Sequence, residues 1–179
     1  DFAFSLRKKA DYTAIAVIGV NSDGDTYILD IDRFKTDKIS VYFEHLLAMY
    51  YKWGFKKMRA EVTVAQQAIV RELKESYIKR HGLYLSIDEN RPNRHQGSKE
   101  ERMNIILEPR YDSKSIWHYK GGNCQVLEEE LLLAHPPHDD VKDCLAAAIE
   151  VAVPPTGAAF KKKRTNVVYH SKFGGVRYA

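Results

Sequence analysis

The stretch from Thr13 to Val20 (TAIAVIGV) is an unbroken apolar run rich in β-branched residues, and Asp25 to Phe34 follows it as a second strand-like segment. Between them Asn21-Ser22-Asp23-Gly24 has the composition of a hairpin turn. In the second strand Tyr27, Leu29 and Ile31 are expected to point inward, alternating with Asp30 and Asp32. A chain that opens on a hairpin and then changes to helical spacing is restricted to a mixed α/β architecture with a partly antiparallel sheet.

The rest of the chain follows that pattern. Ile39, Phe43, Leu46, Leu47, Tyr50 and Trp53 recur at helical spacing, with Gly54 as the stop. Lys57 to Val62 (KMRAEV) reads as a short strand, and a helix is expected from about Val64 to Arg80, ended by Gly82. Leu83 to Ile87 is the next expected strand, and the polar segment from Asp88 to Gly97 an exposed loop. Ser98-Lys99-Glu100-Glu101 carries an S-x-x-E capping box, which starts a helix expected to end before Pro109. Ser115 to Lys120 is a strand candidate and Gly121-Gly122-Asn123 a turn. Val126 to Leu133 reads as a short helix, and Asp139 to Val151 as a final one between two Pro-Pro pairs. No internal repeat is visible.

The 179 residues suffice for one domain, in which folding hides roughly two-thirds of the unfolded chain's surface. A hydrophobic content of 44% with 29% charged residues excludes collagen-like and wholly disordered chains. No stretch approaches the ~20 apolar residues of a membrane span, and the N-terminus lacks the pattern of a signal peptide, so no membrane partner is expected. Cys124 and Cys144 have no metal or disulfide spacing and suit a reducing cytoplasm. The formal net charge is +4, but its distribution is uneven. Residues 151–179 contain no acid and six cations, among them Lys161, Lys162, Lys163 and Arg164. The chain divides into a folded body, residues 1–155, and a basic tail, residues 156–179. Charge runs of this kind are solvated extensions more often than binding surfaces.

The chemistry is concentrated in acids. His138-Asp139-Asp140-Val141-Lys142-Asp143 opens the last helix, where Val141, Leu145, Ala148 and Ile149 form the core stripe. At 100° per residue Asp140 and Asp143 lie about 60° apart and one turn apart along the axis. Like charges so placed repel. One account is ordinary capping, with Asp139 as the N-cap and the other two exposed. The other is a divalent cation such as Mg²⁺ or Mn²⁺, held by converging carboxylates. Glu61, near the end of an otherwise apolar or basic strand, and Asp1, in Asp-Phe-Ala-Phe-Ser ahead of the hairpin, are further candidate ligands. The alternative for Glu61, an exposed acid at a strand end, is the less favoured reading, whereas for Asp1 a solvated terminal acid stands beside the ligand reading.

Taken in order, Asp1 with Phe2-Ala3, Asp11-Tyr12-Thr13-Ala14-Ile15, Arg59-Ala60-Glu61, Ser98-Lys99-Glu100-Glu101-Arg102, Leu127-Glu128-Glu129-Glu130-Leu131 and His138-Asp139-Asp140-Val141-Lys142-Asp143 resemble the C-terminal nuclease domain of bacteriophage terminase large subunits. The resemblance spans the chain to about Pro155. It implies an RNase H-like fold, with a central mixed sheet containing an antiparallel hairpin and flanked by helices. The implied activity is metal-dependent endonucleolytic cutting of concatemeric viral double-stranded DNA during genome packaging. Asp1, Glu61 and Asp143 match the family's acids, Asp140 is an additional ligand one turn earlier, and two Mg²⁺ or Mn²⁺ ions are the implied cofactors. Asp139, His138 and Asp11 are expected beside the ligands rather than on the metal. Lys99 and Arg102, with Arg91 and Arg94 in the preceding loop, are expected to contact the DNA backbone. Implied partners are the terminase ATPase domain, the small terminase subunit and the portal, which places the protein in the host cytoplasm at the procapsid portal.

The chain departs from whole terminases in lacking any G-x-x-x-x-G-K-[ST] phosphate loop, so an excised nuclease domain is expected. By the same resemblance, most of the strand that supports the first acid is expected to precede Asp1. Two other readings fit parts of the pattern. One is a junction-resolving or transposition nuclease of the same fold. The other is an inactive DNA- or portal-docking module whose acids only cap helices.

Overall fold

The computed structural model describes residues 12–62, 66–90, 98–133 and 136–155, together with short strand pieces at 169–170 and 176–177. β1 (Thr13–Val20) and β2 (Thr26–Phe34) form the expected antiparallel hairpin. The Asn21 side chain closes its turn, accepting at Oδ1 from the amides of Asp23 (2.9 Å) and Asp25 (2.8 Å). α1 (Ile39–Trp53) ends at Gly54, whose φ of 63° suits a residue without a Cβ and whose amide donates to the Tyr50 carbonyl. β3 (Lys57–Glu61) follows. α2 (Gln67–Glu72) then runs without a break into a π-helical segment, Leu73–Ile78. β4 (Ser86–Asn90), α3 (Lys99–Asp112), β5 (Ile116–Trp117), α4 (Cys124–Leu132) and α5 (Asp140–Val151) complete the body. β6 (Tyr169–His170) and β7 (Val176–Arg177) pair antiparallel in a ladder of their own.

The architecture is mixed α/β. β5 pairs parallel to β2, giving a mixed three-stranded sheet in the order β1-β2-β5, and β3 pairs parallel with β4 in a second sheet. One cluster of buried side chains joins Ala14, Ile28 and Ile31 of the hairpin to Leu107 of α3, Leu127 of α4 and Leu145 of α5. The other joins Tyr42, Phe43 and Leu46 of α1 to Ala60 and Val62 beside β3 and to Leu73. α5 touches β1, β2, β3, α3 and α4, so it spans the seam between the two sheets. A largely apolar cavity of about 380 Å³ lies in that seam, lined by β1, β3 and the C-terminal half of α5. Among the described residues no helix is long and apolar enough to cross a membrane.

Four sequence expectations are corrected. In β2 the buried residues are Thr26, Ile28 and Ile31, while Tyr27 is 40% exposed and Leu29 is only partly buried. The cause is a bulge: Ile28 opposes Ile18 and Asp30 opposes Val17, so Leu29 is an extra residue and the alternation slips by one. β4 begins at Ser86, not Leu83, and takes in Asp88 to Asn90, which the polar composition assigned to a loop. Asp88 accepts from Arg59 across the ladder (2.9 Å) and Glu89 from Lys74 (2.6 Å), so these charges are satisfied at the sheet edge. α3 passes through Pro109 and ends at Asp112. Pro109 is exposed, and the carbonyl it leaves without its helical donor belongs to Ile105, itself 72% exposed, so the lost bond falls on the solvent side of the helix, where it costs least. The strand expected over Ser115 to Lys120 is only Ile116–Trp117.

Candidate functional site

Three elements bring charged residues to one place. β3 ends on Glu61, α3 begins with Lys99 and Arg102 in its first turns, and α5 begins with Asp140 and Asp143. The start of α3 is fixed by the capping box: Ser98 Oγ accepts from the Glu101 amide (3.1 Å), and Glu101 returns a carboxylate to the Ser98 amide (2.8 Å). That leaves the Lys99 side chain directed toward α5. Its ammonium lies 3.0 Å from Asp139 Oδ1 and 3.2 Å from Asp143 Oδ2. Asp143 is buried, at 8% exposure, and Glu61 is half-buried.

Glu61 and Asp143 line the same polar cavity of about 220 Å³, with Arg102, Arg59, Asn90 and Glu150 around them. Arg59 is fully engaged, donating to Asp88 from Nε and Nη2 and pairing with Glu150 through Nη1. Arg102 is less committed, since its Nε is buried with no hydrogen-bond partner. Burial, then the negative charge of Asp143, push the Glu61 carboxyl above the usual glutamate range, against the pull of Arg102 and Lys99. Burial by itself would lower the Lys99 ammonium, but Asp143 and Asp139 outweigh it and hold Lys99 above the usual lysine range.

Asp140 is turned toward the hairpin. It is 2% exposed, accepts the Tyr12 amide at Oδ2 (3.2 Å), and lies 3.7 Å from Arg33 Nη2 and 3.8 Å from His138 Nδ1. The Arg33 guanidinium lies over the Tyr12 ring at 3.8 Å, and His138 meets that ring edge-on. The 60° between Asp140 and Asp143 is enough to give them different neighbours. Asp140 ties the start of α5 to β1 and β2, while Asp143 looks toward α3 and β3.

Of the residues singled out in the sequence, the structure brings Glu61, Asp143, Asp139, Lys99 and Arg102 together and places Asp140 with His138. Asp1, Asp11, Arg91 and Arg94 lie outside the described residues. Asp139 occupies the N-cap position of α5 but makes no side-chain capping bond, because its carboxylate goes to Lys99. Sequence reasoning missed Arg33, Asn90 and Glu130. Glu130 had a readable signal: it follows Cys124 and Leu127 at three-residue spacing, on the buried stripe of α4.

Among the described residues no three His, Cys, Asp or Glu side chains converge as a ready metal cage. The pair Glu61 and Asp143 nevertheless suits Mg²⁺ or Mn²⁺. Such hard ions are held by one or two carboxylates, with waters and substrate phosphate oxygens completing the shell. Comparison with protein-family models and with curated proteins found no match.

Proposed function

We propose that this chain is a metal-dependent endonuclease of RNase H-like fold that hydrolyses phosphodiester bonds of double-stranded DNA. The observation that carries the reading is that Glu61 and Asp143 line one polar cavity, with Arg102 on its wall and Lys99 paired to Asp143. The fold supports it: a hairpin opens the sheet, an acid ends a later strand, and an acid-bearing helix packs across both. Together with the sequence resemblance, this points to the nuclease of a viral packaging motor acting on concatemeric DNA. The ATPase domain, small terminase subunit and portal are then the partners, and the portal of the procapsid in the host cytoplasm is the place of action.

Glu61 and Asp143 would hold the divalent ions, with Asp1 as the further ligand that the resemblance implies. When bound, such ions lower the pKa of an attacking water and stabilise the departing 3′-oxygen. The chain's own residues do the rest. Lys99, between Asp139 and Asp143, offers an ammonium to a backbone phosphate, and Arg102 on the cavity wall a second positive charge. These contacts orient the phosphodiester without reading bases. Asp140 acts from the other side of the helix, fixing α5 to the hairpin so that Asp143 stays on the cavity.

The test is nicking and linearisation of supercoiled plasmid in EDTA, Mg²⁺ or Mn²⁺, for the intact chain and for Asp143→Asn. Cutting that requires metal and is lost in the variant is the expected result. Cutting that survives Asp143→Asn undiminished would remove Asp143 from the site, and no cutting under any metal would favour a DNA- or portal-docking module.

A further inference from the structure

α5 carries Asp143, yet its N-terminus lacks the cap that its sequence offers. Asp139 stands at the N-cap position with its carboxylate given to Lys99, so the first amides of the helix need another acceptor. That acceptor comes from a different helix. Glu130, on the last turns of α4, is 4% exposed and accepts the Lys142 amide at Oε2 (2.8 Å). Its second oxygen, Oε1, is buried without a hydrogen-bond partner. Burying a carboxylate is unfavourable unless it is well paired, and an apolar residue would serve ordinary packing at this position better.

We propose that Glu130 is a positioning residue, which caps α5 from α4 and thereby leaves Asp139 to Lys99 and holds Asp143 on the cavity it shares with Glu61. The division of labour is visible in the contacts. If Asp139 capped its own helix it would have to leave Lys99, and Lys99 would lose one of the two carboxylates that place it. Borrowing the cap from α4 lets Asp139 and Asp143 both meet Lys99 while the helix end stays satisfied. This role rests on the endonuclease reading for its consequence, but not for its geometry.

Three variants separate capping from charge and from bulk. Glu130→Gln keeps an acceptor oxygen at the reach of Lys142, and its amide nitrogen falls where Oε1 has no partner to lose. Glu130→Asp keeps the charge but is one methylene too short, and Glu130→Ala removes both. Two measurements are made on each: hydrogen exchange of the Lys142 amide by NMR, without metal, and Mn²⁺-dependent plasmid nicking, with maximal rate and half-saturating Mn²⁺ fitted separately. In the expected result Gln protects the Lys142 amide and nicks within about threefold of the parent. Asp and Ala lose that protection and fall on the order of 10- to 100-fold in nicking, as a misplacement of about 1 Å would produce.

A merely stabilising role would order nicking by melting temperature, whereas a positioning role orders it by Lys142 protection. The proposal is overturned if Ala keeps the Lys142 amide protected, if protection is lost and nicking is not, or if Asp behaves as the parent and Gln does not. Should Ala fail to fold, the order of Gln and Asp still decides. If the parent chain nicks under no metal, the endonuclease reading falls, and the exchange ranking alone supports or overturns the cap.

Discussion

Glu61 and Asp143 line one cavity, and burial, then the negative charge of Asp143, raise the Glu61 carboxyl. Replacing a ligand outright exceeds the roughly 10- to 100-fold loss typical of groups that only support ligands. Glu61→Gln and Asp143→Asn are each expected to reduce plasmid nicking beyond that range while melting within a few degrees of the parent. The same raised carboxyl sets a pH dependence. Because a proton must leave Glu61 before a cation binds, nicking should lose half its rate on acidification at a pH above the ordinary glutamate value of 4.5. Stability runs the opposite way. A raised native pKa means that the native state holds the proton longer than the unfolded one, so Glu61's contribution is present below 4.5 and is lost as pH rises through the native value. Thermal melts across that window should decline with pH for the parent and less steeply for Glu61→Gln.

α3 shows how one element carries both a sequence signal and a surprise. Its Ser98–Glu101 capping box is fully formed, and Ser98→Ala should cost about 1 kcal/mol in urea unfolding. Since that cap also sets the first turn that bears Lys99, nicking should fall more than stability does. The cap was legible because its residues bond to each other within four positions. The far end of α3 was not, because whether Pro109 breaks a helix depends on whether the carbonyl one turn back can reach water, which local sequence does not contain. The same limit applies to β4, whose charged half is a strand only because Arg59 and Lys74 meet it across the fold. The bulge at Leu29 likewise reflects what hairpin pairing demands of both strands. For the site, the acids themselves were readable from α5, but their allotment was not. Tyr12 and Arg33 decide that Asp140 turns away, and Glu130 becomes a cap only when α4 is laid against α5.

At the scale of the whole molecule α5 joins the parts, and charge is divided between body and tail. Leu145, fully buried where α5 meets the hairpin, α3 and α4, has no route to solvent, and Leu145→Ala should cost about 2–5 kcal/mol. Because α5 also packs on β3, tryptophan fluorescence and far-UV circular dichroism should report one coincident transition in that variant. The tail poses a different question. The chain has 28 cations and 24 acids, and residues 156–179 hold six of the cations and none of the acids, which leaves 22 against 24 elsewhere. On the proposed function, a body of net charge −2 meets a polyanion through a local cluster of cations, and the proposed cluster is Arg102 on the cavity wall with Lys99 beside Asp143. Each phosphate that a cation neutralises adds about 0.9 to the slope of log binding against log salt. Deleting residues 156–179 should therefore lower that slope and weaken binding at low salt, while metal-dependent nicking at saturating DNA remains. Lys99→Met in the full chain should lower the slope by only about one phosphate's share yet take most of the nicking with it. If the truncated chain instead binds with an unchanged slope and Lys99→Met nicks at the parental rate, DNA does not approach the molecule from the face where α3 and α5 meet.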